Sequence, residues 1–125
     1  MARNVLGEPL ECCCMDPVTG FFRTGKCETN AQDVGMHTVC VEVTEEFLDF
    51  NAKLGNDLVT PMPEHEFPGL KPGDRWCVCI GAVLEAIRAG LKPRIALNAT
   101  HASVLEFIPK EQLLSLSIDA PRDAD

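Results

Sequence analysis

The alternation of apolar and polar residues in the middle of the chain predicts a strand followed by a helix. Residues 37–43 alternate with a period of two and are rich in β-branched side chains, which is typical of a strand. Thr44 then suits a helix cap, and Glu45 and Glu46 suit the positive end of a helix dipole. We therefore predict a helix that begins after Thr44 and ends at Gly55. Its buried stripe is predicted to consist of Phe47, Leu48, Phe50 and Leu54.

Residues 57–74 carry no helix or strand pattern, and we predict that they form a long ordered loop. Loops of this length are uncommon inside a compact domain and are often functional. The last four residues, Lys71-Pro72-Gly73-Asp74, suit a type II turn, because proline presets φ and glycine accepts a positive φ. The prolines of this loop are Pro61, Pro63, Pro68 and Pro72.

The pattern after this turn predicts the rest of a mixed sheet. Residues 76–80 alternate as a strand, with Cys77 and Cys79 on one face and Trp76 on the opposite, core-facing side. Residues 101–108 fit either a short helix or a strand, and their β-branched and aromatic content favours the strand. The other predicted elements are a helix at 82–89, a strand at 94–98 and a helix at 109–116. This order predicts an α+β domain with a mixed sheet of about four to five short strands and three helices.

Charge and length narrow the possible functional classes of the protein and its domain organisation. The chain has 19 acidic and 11 basic residues, and the basic residues are scattered, which argues against binding to nucleic acid or to anionic membranes. The first 17 residues contain no apolar stretch long enough for a signal peptide or a membrane span, so we expect a soluble cytoplasmic protein. Length allows one domain, placed at residues 5–118, before a disordered tail at 119–125. A small-molecule or protein partner and an oligomeric state are left open.

The cysteines are unusually many, at seven in 125 residues. Cytosolic proteins rarely contain disulfides, and an odd count fits reduced thiols better than a closed disulfide framework. Three cysteines are adjacent at 12–14, between Glu11 and Asp16. Neighbouring acidic residues disfavour a reactive thiolate, so we do not expect catalysis from this run.

Four segments carry a resemblance to a known family. They are TGFFR at 19–23, DVGMHTVC at 33–40, GNDLVTP at 55–61 and FPGLKPGDRWC at 67–77. These segments resemble the DUF2237 family, a bacterial family of unknown function, and the resemblance covers about residues 4–116. It implies a single small domain. It implies no reaction, and it transfers no catalytic residue to this chain.

A first candidate site is a metal centre, because thiolates and imidazole are the ligands that zinc prefers. In an uninterrupted strand His37 and Cys40 face opposite sides, so only a bulge would let them share one ion. The spacing of Cys77 and Cys79 also differs from the paired C-x-x-C motif. Buried thiols without a metal are the alternative, and no cofactor is predicted. The candidate metal ligands are Cys27, His37, Cys40, Cys77 and Cys79.

A second candidate site combines carboxylates, histidines and arginines near loop ends. A histidine held by an aspartate can act as a general base near neutral pH. An arginine beside Trp76 can bind a small anion or a ring. The alternative is that the aspartates cap their own turns, that His101 is simply exposed and that Trp76 belongs to the core. The candidate ligand-binding residues are Arg23, Asp33, His37, Asp57, Asp74, Arg75 and His101.

Two functional hypotheses follow from these sites. The chain lacks the G-x-S-x-G, G-x-x-x-x-G-K, G-x-G-x-x-G and H-E-x-x-H motifs, so the sequence does not decide whether the protein is an enzyme. The leading hypothesis is a domain that binds a small ligand or a partner around the 57–74 loop. The alternative is a metal- or thiol-dependent protein that uses the cysteine and histidine set.

Overall fold

A central antiparallel sheet organises the fold in the computed structural model, which describes residues 2–65 and 67–119. The strand order is β2-β1-β3, with β1 at His37–Glu42, β2 at Arg75–Cys79 and β3 at Arg94–Ile95. The α-helices are α1 at Glu45–Lys53, α2 at Ile80–Arg88 and α3 at Lys110–Leu116. Short 3-10 helices lie at Pro63–His65, Leu97–Ala99 and Ala102–Glu106. No helix in the described ranges is long and apolar enough to cross a membrane.

Helix α1 confirms the prediction made from its cap and its apolar spacing. The backbone N–H of Phe47 donates to Thr44 Oγ1 at 3.0 Å, which satisfies one free amide of the first turn. The predicted burial of Leu54 is wrong, since this side chain is 51 % exposed. The buried position is taken instead by Asn51, whose side chain donates to the Phe47 carbonyl at 2.8 Å. A hydrophobic pattern cannot identify a polar residue that is buried because it is hydrogen-bonded.

Strand β3 is shorter than the predicted strand at 94–98, and the reason lies at the end of the described chain. The Asp119 carboxylate accepts hydrogen bonds from the backbone N–H groups of Leu97 at 2.7 Å and Asn98 at 3.0 Å. These two amides therefore do not extend the sheet, and the chain turns into a 3-10 helix. The rest of the predicted tail, residues 120–125, lies outside the described residues.

The preference for a strand at 101–108 is wrong. Ala102–Glu106 form a 3-10 helix, and the His101 ring caps it by accepting a hydrogen bond from the Ser103 backbone N–H at 3.0 Å. A side chain that bonds its own backbone two residues later favours a turn over a strand. The α+β class and the three α-helices are confirmed, but the described sheet has three strands instead of four to five.

A bulge changes which side chains of β1 and β2 share a face. Cys40 lies opposite Cys77, and His37 lies opposite Cys79, with the irregularity between His37 and Val39. Residues directly opposite in an antiparallel pair share a face, so His37 joins the cysteine side of the sheet. The prediction that His37 and Cys40 face opposite sides assumed an uninterrupted strand, and the bulge overturns it.

The two faces of the sheet support different cores. One face packs against the helices in a core that includes Val39, Val41, Trp76, Val78, Phe47, Leu48 and Val83. The predicted core position of Trp76 is therefore confirmed. The other face supports a smaller cluster formed by Cys13, Cys27, Cys40, Cys77, Ala96 and Ala99.

Two disulfides tie the irregular segment before β1 to the sheet. Cys13 is bonded to Cys40 on β1, and Cys27 is bonded to Cys77 on β2. Residues 2–36 contain no α-helix and only isolated β-bridges, so they have no hydrogen-bonded ladder of their own. The expectation of seven reduced thiols is therefore wrong, and the cytoplasmic location stays a prediction. The free thiols are Cys12, Cys14 and Cys79.

Candidate functional site

A buried carboxylate holds the ring of His37. Asp33 Oδ1 lies 2.6 Å from His37 Nδ1, and Asp33 Oδ2 accepts from the His37 backbone N–H at 2.9 Å and from Thr29 Oγ1 at 3.0 Å. The Asp33 side chain is fully buried. Burial alone would raise the pKa of Asp33, but the hydrogen bonds from His37 and Thr29 hold it below its usual value. Asp33 is therefore an ionised group that fixes the imidazole.

The free thiol of Cys79 is the second partner of His37. The neighbouring Cys79 sulfur is the largest cause that raises the pKa of His37, to about 9; burial opposes the increase and Asp33 adds to it. The imidazole is therefore protonated near neutral pH. Because Nδ1 is bonded to Asp33, Nε2 is the ring nitrogen left for proton exchange with another group.

Cys79 occupies the junction between a strand and a helix. It is the last residue of β2 and the N-cap of α2, and its side chain makes no capping hydrogen bond. The backbone N–H of Ile80 donates to the Met36 carbonyl at 3.0 Å, which fixes the start of α2 beside the residue before His37. Cys79 therefore lies both at the amino end of α2 and beside the His37 ring.

Gly35 leaves the space in which the ring and the thiol converge. A Cβ atom at this position would lie 3.0 Å from His37 Cε1 and 3.4 Å from Cys79 Sγ. Both distances are at or below ordinary van der Waals contact, so any side chain would crowd the two groups. The segment from Asp33 to His37 thus supplies the carboxylate, the imidazole and the open space between them.

The raised pKa of His37 predicts a loss of stability at alkaline pH. Its folded-state pKa of about 9 exceeds the ordinary value of 6.5, so its contribution is complete below pH 6.5 and disappears as the pH rises through about 9. Asp33 acts in the opposite direction, since its lowered pKa stabilises the fold above the ordinary value of 3.8. We expect urea unfolding to give a free energy that decreases from pH 6.5 to pH 9, and ring NMR to show His37 titrating near the upper value.

His37→Gln is the matched control for this pH dependence, since it removes the titrating ring. The variant should lose most of the decrease in unfolding free energy between pH 6.5 and pH 9. An unchanged slope in the variant, or a His37 ring that titrates near 6.5, would contradict the assignment.

A cavity of about 450 Å³ lies beside the edge strand β2. It is bounded by the turn at 20–23, by the predicted 57–74 loop and by β2 itself. His37 belongs both to this cavity and to the group formed with Asp33 and Cys79. The lining residues are Gly20, Phe21, Arg23, His37, Asp57, Leu58, Met62, Glu64, His65, Phe67, Trp76 and Cys77.

The predicted ligand-binding residues divide into two groups. Arg23, His37 and Asp57 line the cavity, and Asp33 holds His37 from outside it. The Asp57 carboxylate also accepts from the backbone N–H groups of its own turn, at Val59 and Thr60. Hydrogen bonds from Thr60 first, and then from Val59, lower the pKa of Asp57. Asp57 therefore combines a turn-capping role with a place in the cavity wall.

Asp74, Arg75 and His101 are not among the residues that line the cavity. Asp74 accepts from the Lys71 backbone N–H at 2.9 Å, so it closes the turn that follows the loop. Arg75 lies opposite Glu42 in the sheet. Burial lowers the pKa of His101, partly offset by the charge of Glu28, and its ring caps the 3-10 helix. The structure therefore does not bring these three residues together with Arg23 and His37.

A family model described as "Uncharacterized protein conserved in bacteria (DUF2237)" matches residues 3–117 of the chain. The chain belongs to this family. A search of the curated proteins found no match to it. The family description gives no reaction, so the function of this DUF2237 protein has to be inferred from its own residues.

The predicted metal set of this DUF2237 protein is not supported. Cys27, Cys40 and Cys77 are in disulfides, and a sulfur in a disulfide offers no thiolate to a metal. The sulfurs of Cys13, Cys27 and Cys77 do lie within 4.8 Å of one another, and the two adjacent disulfides account for this proximity.

The sequence placed Cys79 in the metal- or thiol-dependent set without singling it out, because the predicted helix began two residues too late. With α2 beginning at Ile80, Cys79 is an N-cap thiol, which would have marked it as a candidate nucleophile. Gly35 had no identifiable signal, since its role depends on the tertiary approach of His37 and Cys79. The remaining cavity residues that were not named individually as candidates are Gly20, Phe21, Leu58, Met62, Glu64, His65 and Phe67.

Proposed function

We propose that this DUF2237 protein is a thiol-dependent acyl-transfer enzyme or hydrolase with Cys79 as its nucleophile. Its substrate binds in the cavity beside the 57–74 loop. The observation that carries the proposal is the arrangement of a buried carboxylate, an imidazole and a free thiol at Asp33, His37 and Cys79. The proposal joins the ligand site and the thiol chemistry that the sequence offered as separate hypotheses.

The first step would use the charge of His37. An imidazolium beside a cysteine favours the thiolate, which is the nucleophilic form. The Cys79 sulfur attacks a carbonyl carbon of the substrate, so that an S–C bond forms and the carbonyl π electrons move to oxygen. The Ile80 N–H is already bonded to the Met36 carbonyl, but the next amides of the first turn of α2 have no acceptor within the helix and are suited to stabilise this oxyanion.

The second step would use the proton of His37. As the intermediate collapses, the bond to the leaving group breaks and His37 Nε2 gives its proton to that group. The neutral imidazole then takes a proton from water, whose oxygen attacks the thioester and releases the acid. The thiolate and the imidazolium are restored. Asp33 keeps Nε2 available for both transfers, because its own hydrogen bond is to Nδ1.

A ligand-binding function without chemistry is the second candidate. One observation favours it, because Cys79 itself is not among the residues that line the cavity. The connection between the sulfur and the cavity is His37, which belongs to both. The reactivity of Cys79 therefore separates the two candidates.

The test uses para-nitrophenyl acetate as an acyl donor. In the double variant Cys12→Ser, Cys14→Ser, the only free thiol is that of Cys79. We expect this variant to release a burst of nitrophenol equal to the protein concentration, with one acetyl group on Cys79 in mass spectrometry. Adding Cys79→Ser should abolish the rapid burst.

The same experiment can reject the proposal. If Cys79 reacts only after denaturation, it is a structural thiol, and the cavity serves binding alone. The wild-type protein is the second comparison, because acetylation spread over Cys12 and Cys14 with none on Cys79 would also contradict the assignment.

A further inference from the structure

We propose that Arg23 binds the carboxylate of a ligand whose apolar or aromatic body fills the cavity. The inference names the substrate class for the site described above, and in that sense it rests on the proposed function. It predicts that the natural substrate is an acyl compound with a second, anionic end. Its physical basis is the hydrogen bonding and charge of the Arg23 guanidinium and the apolar character of the cavity walls around it.

The Arg23 side chain is held in one place. Its Nη1 donates to the Gly20 carbonyl, and its Nη2 donates to the His65 carbonyl at 2.6 Å. The guanidinium carbon lies 5.0 Å from the centre of the Trp76 ring, within the range of a cation–π interaction. Arg23 also has a φ of 55°, a left-handed conformation that is uncommon for a residue other than glycine. The turn at 20–23 thus positions a cation at the cavity.

The charge of Arg23 has no carboxylate partner within the described residues. Its Nε is buried and makes no hydrogen bond there. A guanidinium carries five N–H donors, and the two carbonyls use only two of them. A buried donor without a partner is costly, and a planar carboxylate is the group that a guanidinium binds through two parallel bonds.

The other acidic residues of the cavity do not take this role. The Asp57 carboxylate is engaged by the amides of Val59 and Thr60. Glu64 is exposed and forms no ion pair with Arg23 in the described structure. These two carboxylates disfavour a doubly charged ligand, so a monoanionic carboxylate fits the site better than a phosphate.

The remaining walls are apolar. Phe67 packs against Trp76 with ring centres 5.0 Å apart, and Phe21 stacks on the His37 ring at 6.0 Å. Phe21 and Met62 are 38 % and 40 % exposed, so the cavity has apolar surface that a ligand can cover. An aromatic or alkyl body placed there would remove this surface from water while its carboxylate reaches Arg23.

Two probe molecules of nearly the same shape test the inference. Phenylacetate and phenylacetamide differ in charge but have nearly the same shape, and neither carries a leaving group for Cys79. Trp76 is the only tryptophan of the chain, so its fluorescence reports binding beside Arg23. We expect phenylacetate to bind the wild-type protein at least about tenfold more tightly than phenylacetamide.

Variants identify the residue responsible for this preference. Arg23→Gln should reduce the preference to about one, and Arg23→Lys should restore only part of it, because lysine lacks the planar fork. Arg75→Gln is the matched control, since Arg75 precedes Trp76 on β2 but does not line the cavity. It should keep the full preference.

Three results would overturn the inference. The first is equal binding of the two probes by the wild-type protein. The second is a loss of the carboxylate preference in Arg75→Gln as large as that in Arg23→Gln. The third is tighter binding of phenyl phosphate than of phenylacetate. The first and third results are measured on the wild-type protein, so the inference can be rejected even if Arg23→Gln does not fold. A preserved carboxylate preference without any acetyl burst would reject the acyl-transfer proposal alone. A burst without the preference would reject this inference alone.

Discussion

Replacing His37 with glutamine is expected to slow the alkylation of Cys79 by iodoacetamide about a hundredfold near neutral pH. The imidazolium that favours a reactive sulfur is lost, while glutamine can still fill much of the same volume beside Gly35. The measurement is the rate of modification of Cys79 in the Cys12→Ser, Cys14→Ser background, followed by mass spectrometry. The decrease should be largest below pH 9, where the wild-type ring carries its proton.

Two further variants make this result specific. Asp33→Asn should produce a smaller decrease, because it weakens the hold on the ring without removing the ring. His101→Gln is the matched control, since His101 caps a 3-10 helix and lies outside the cavity. Equal rates in His37→Gln and the wild-type protein, with equal thermal stability, would show that His37 does not activate Cys79.

Removing either disulfide is expected to lower the free energy of unfolding by between about 3 and about 5 kcal/mol. The effect should be larger for Cys27→Ala, Cys77→Ala than for Cys13→Ala, Cys40→Ala. The first bond joins residues 50 apart and the second joins residues 27 apart, so the first closes the longer loop in the unfolded chain. Urea unfolding of the two double variants measures the difference.

The disulfide variants should also damage the candidate site. The segment that carries Arg23 and Asp33 has no strand or helix of its own and is bonded to the sheet through Cys13 and Cys27. We therefore expect lower reactivity of Cys79 in both double variants. Cys12→Ala, Cys14→Ala is the control for loss of cysteine side chains, and it should unfold like the wild-type protein. Non-reducing peptide mapping must recover the two bonds, and three labelled free thiols would agree with them.

The elements that were predicted well are those in which local chemistry and burial agree. Helix α1 begins at the predicted cap, because Thr44 and the acids after it satisfy the first turn regardless of the rest of the fold. The turn before β2 was also predicted, and Gly73 has the positive φ of 99° that a type II turn requires. The predicted 57–74 loop includes a 3-10 helix at Pro63–His65 and lines the cavity, as a long ordered loop often does.

The predictions that failed depend on partners far away in the chain. The strand at 94–98 was shortened by Asp119, which lies more than 20 residues later. The face of the sheet on which His37 lies was changed by a bulge that depends on pairing with β2. The reduced state of the cysteines was inferred from the expected cellular location, whereas the fold brings two pairs to bonding distance. None of these three effects leaves a trace in local hydrophobic periodicity.

By itself, the sequence determined the α+β class, the three helices, the loop that borders the cavity and the family to which the chain belongs. It also placed Asp33 and His37 among the candidate residues, but it did not pair them. Only the tertiary structure decided that Cys79 joins them and that Arg23 faces the same cavity without a carboxylate partner in the described residues. The physical reason is that periodicity and capping act over a few residues. The bulge, the disulfides and the turn at 20–23 act between segments that meet only when the chain is folded.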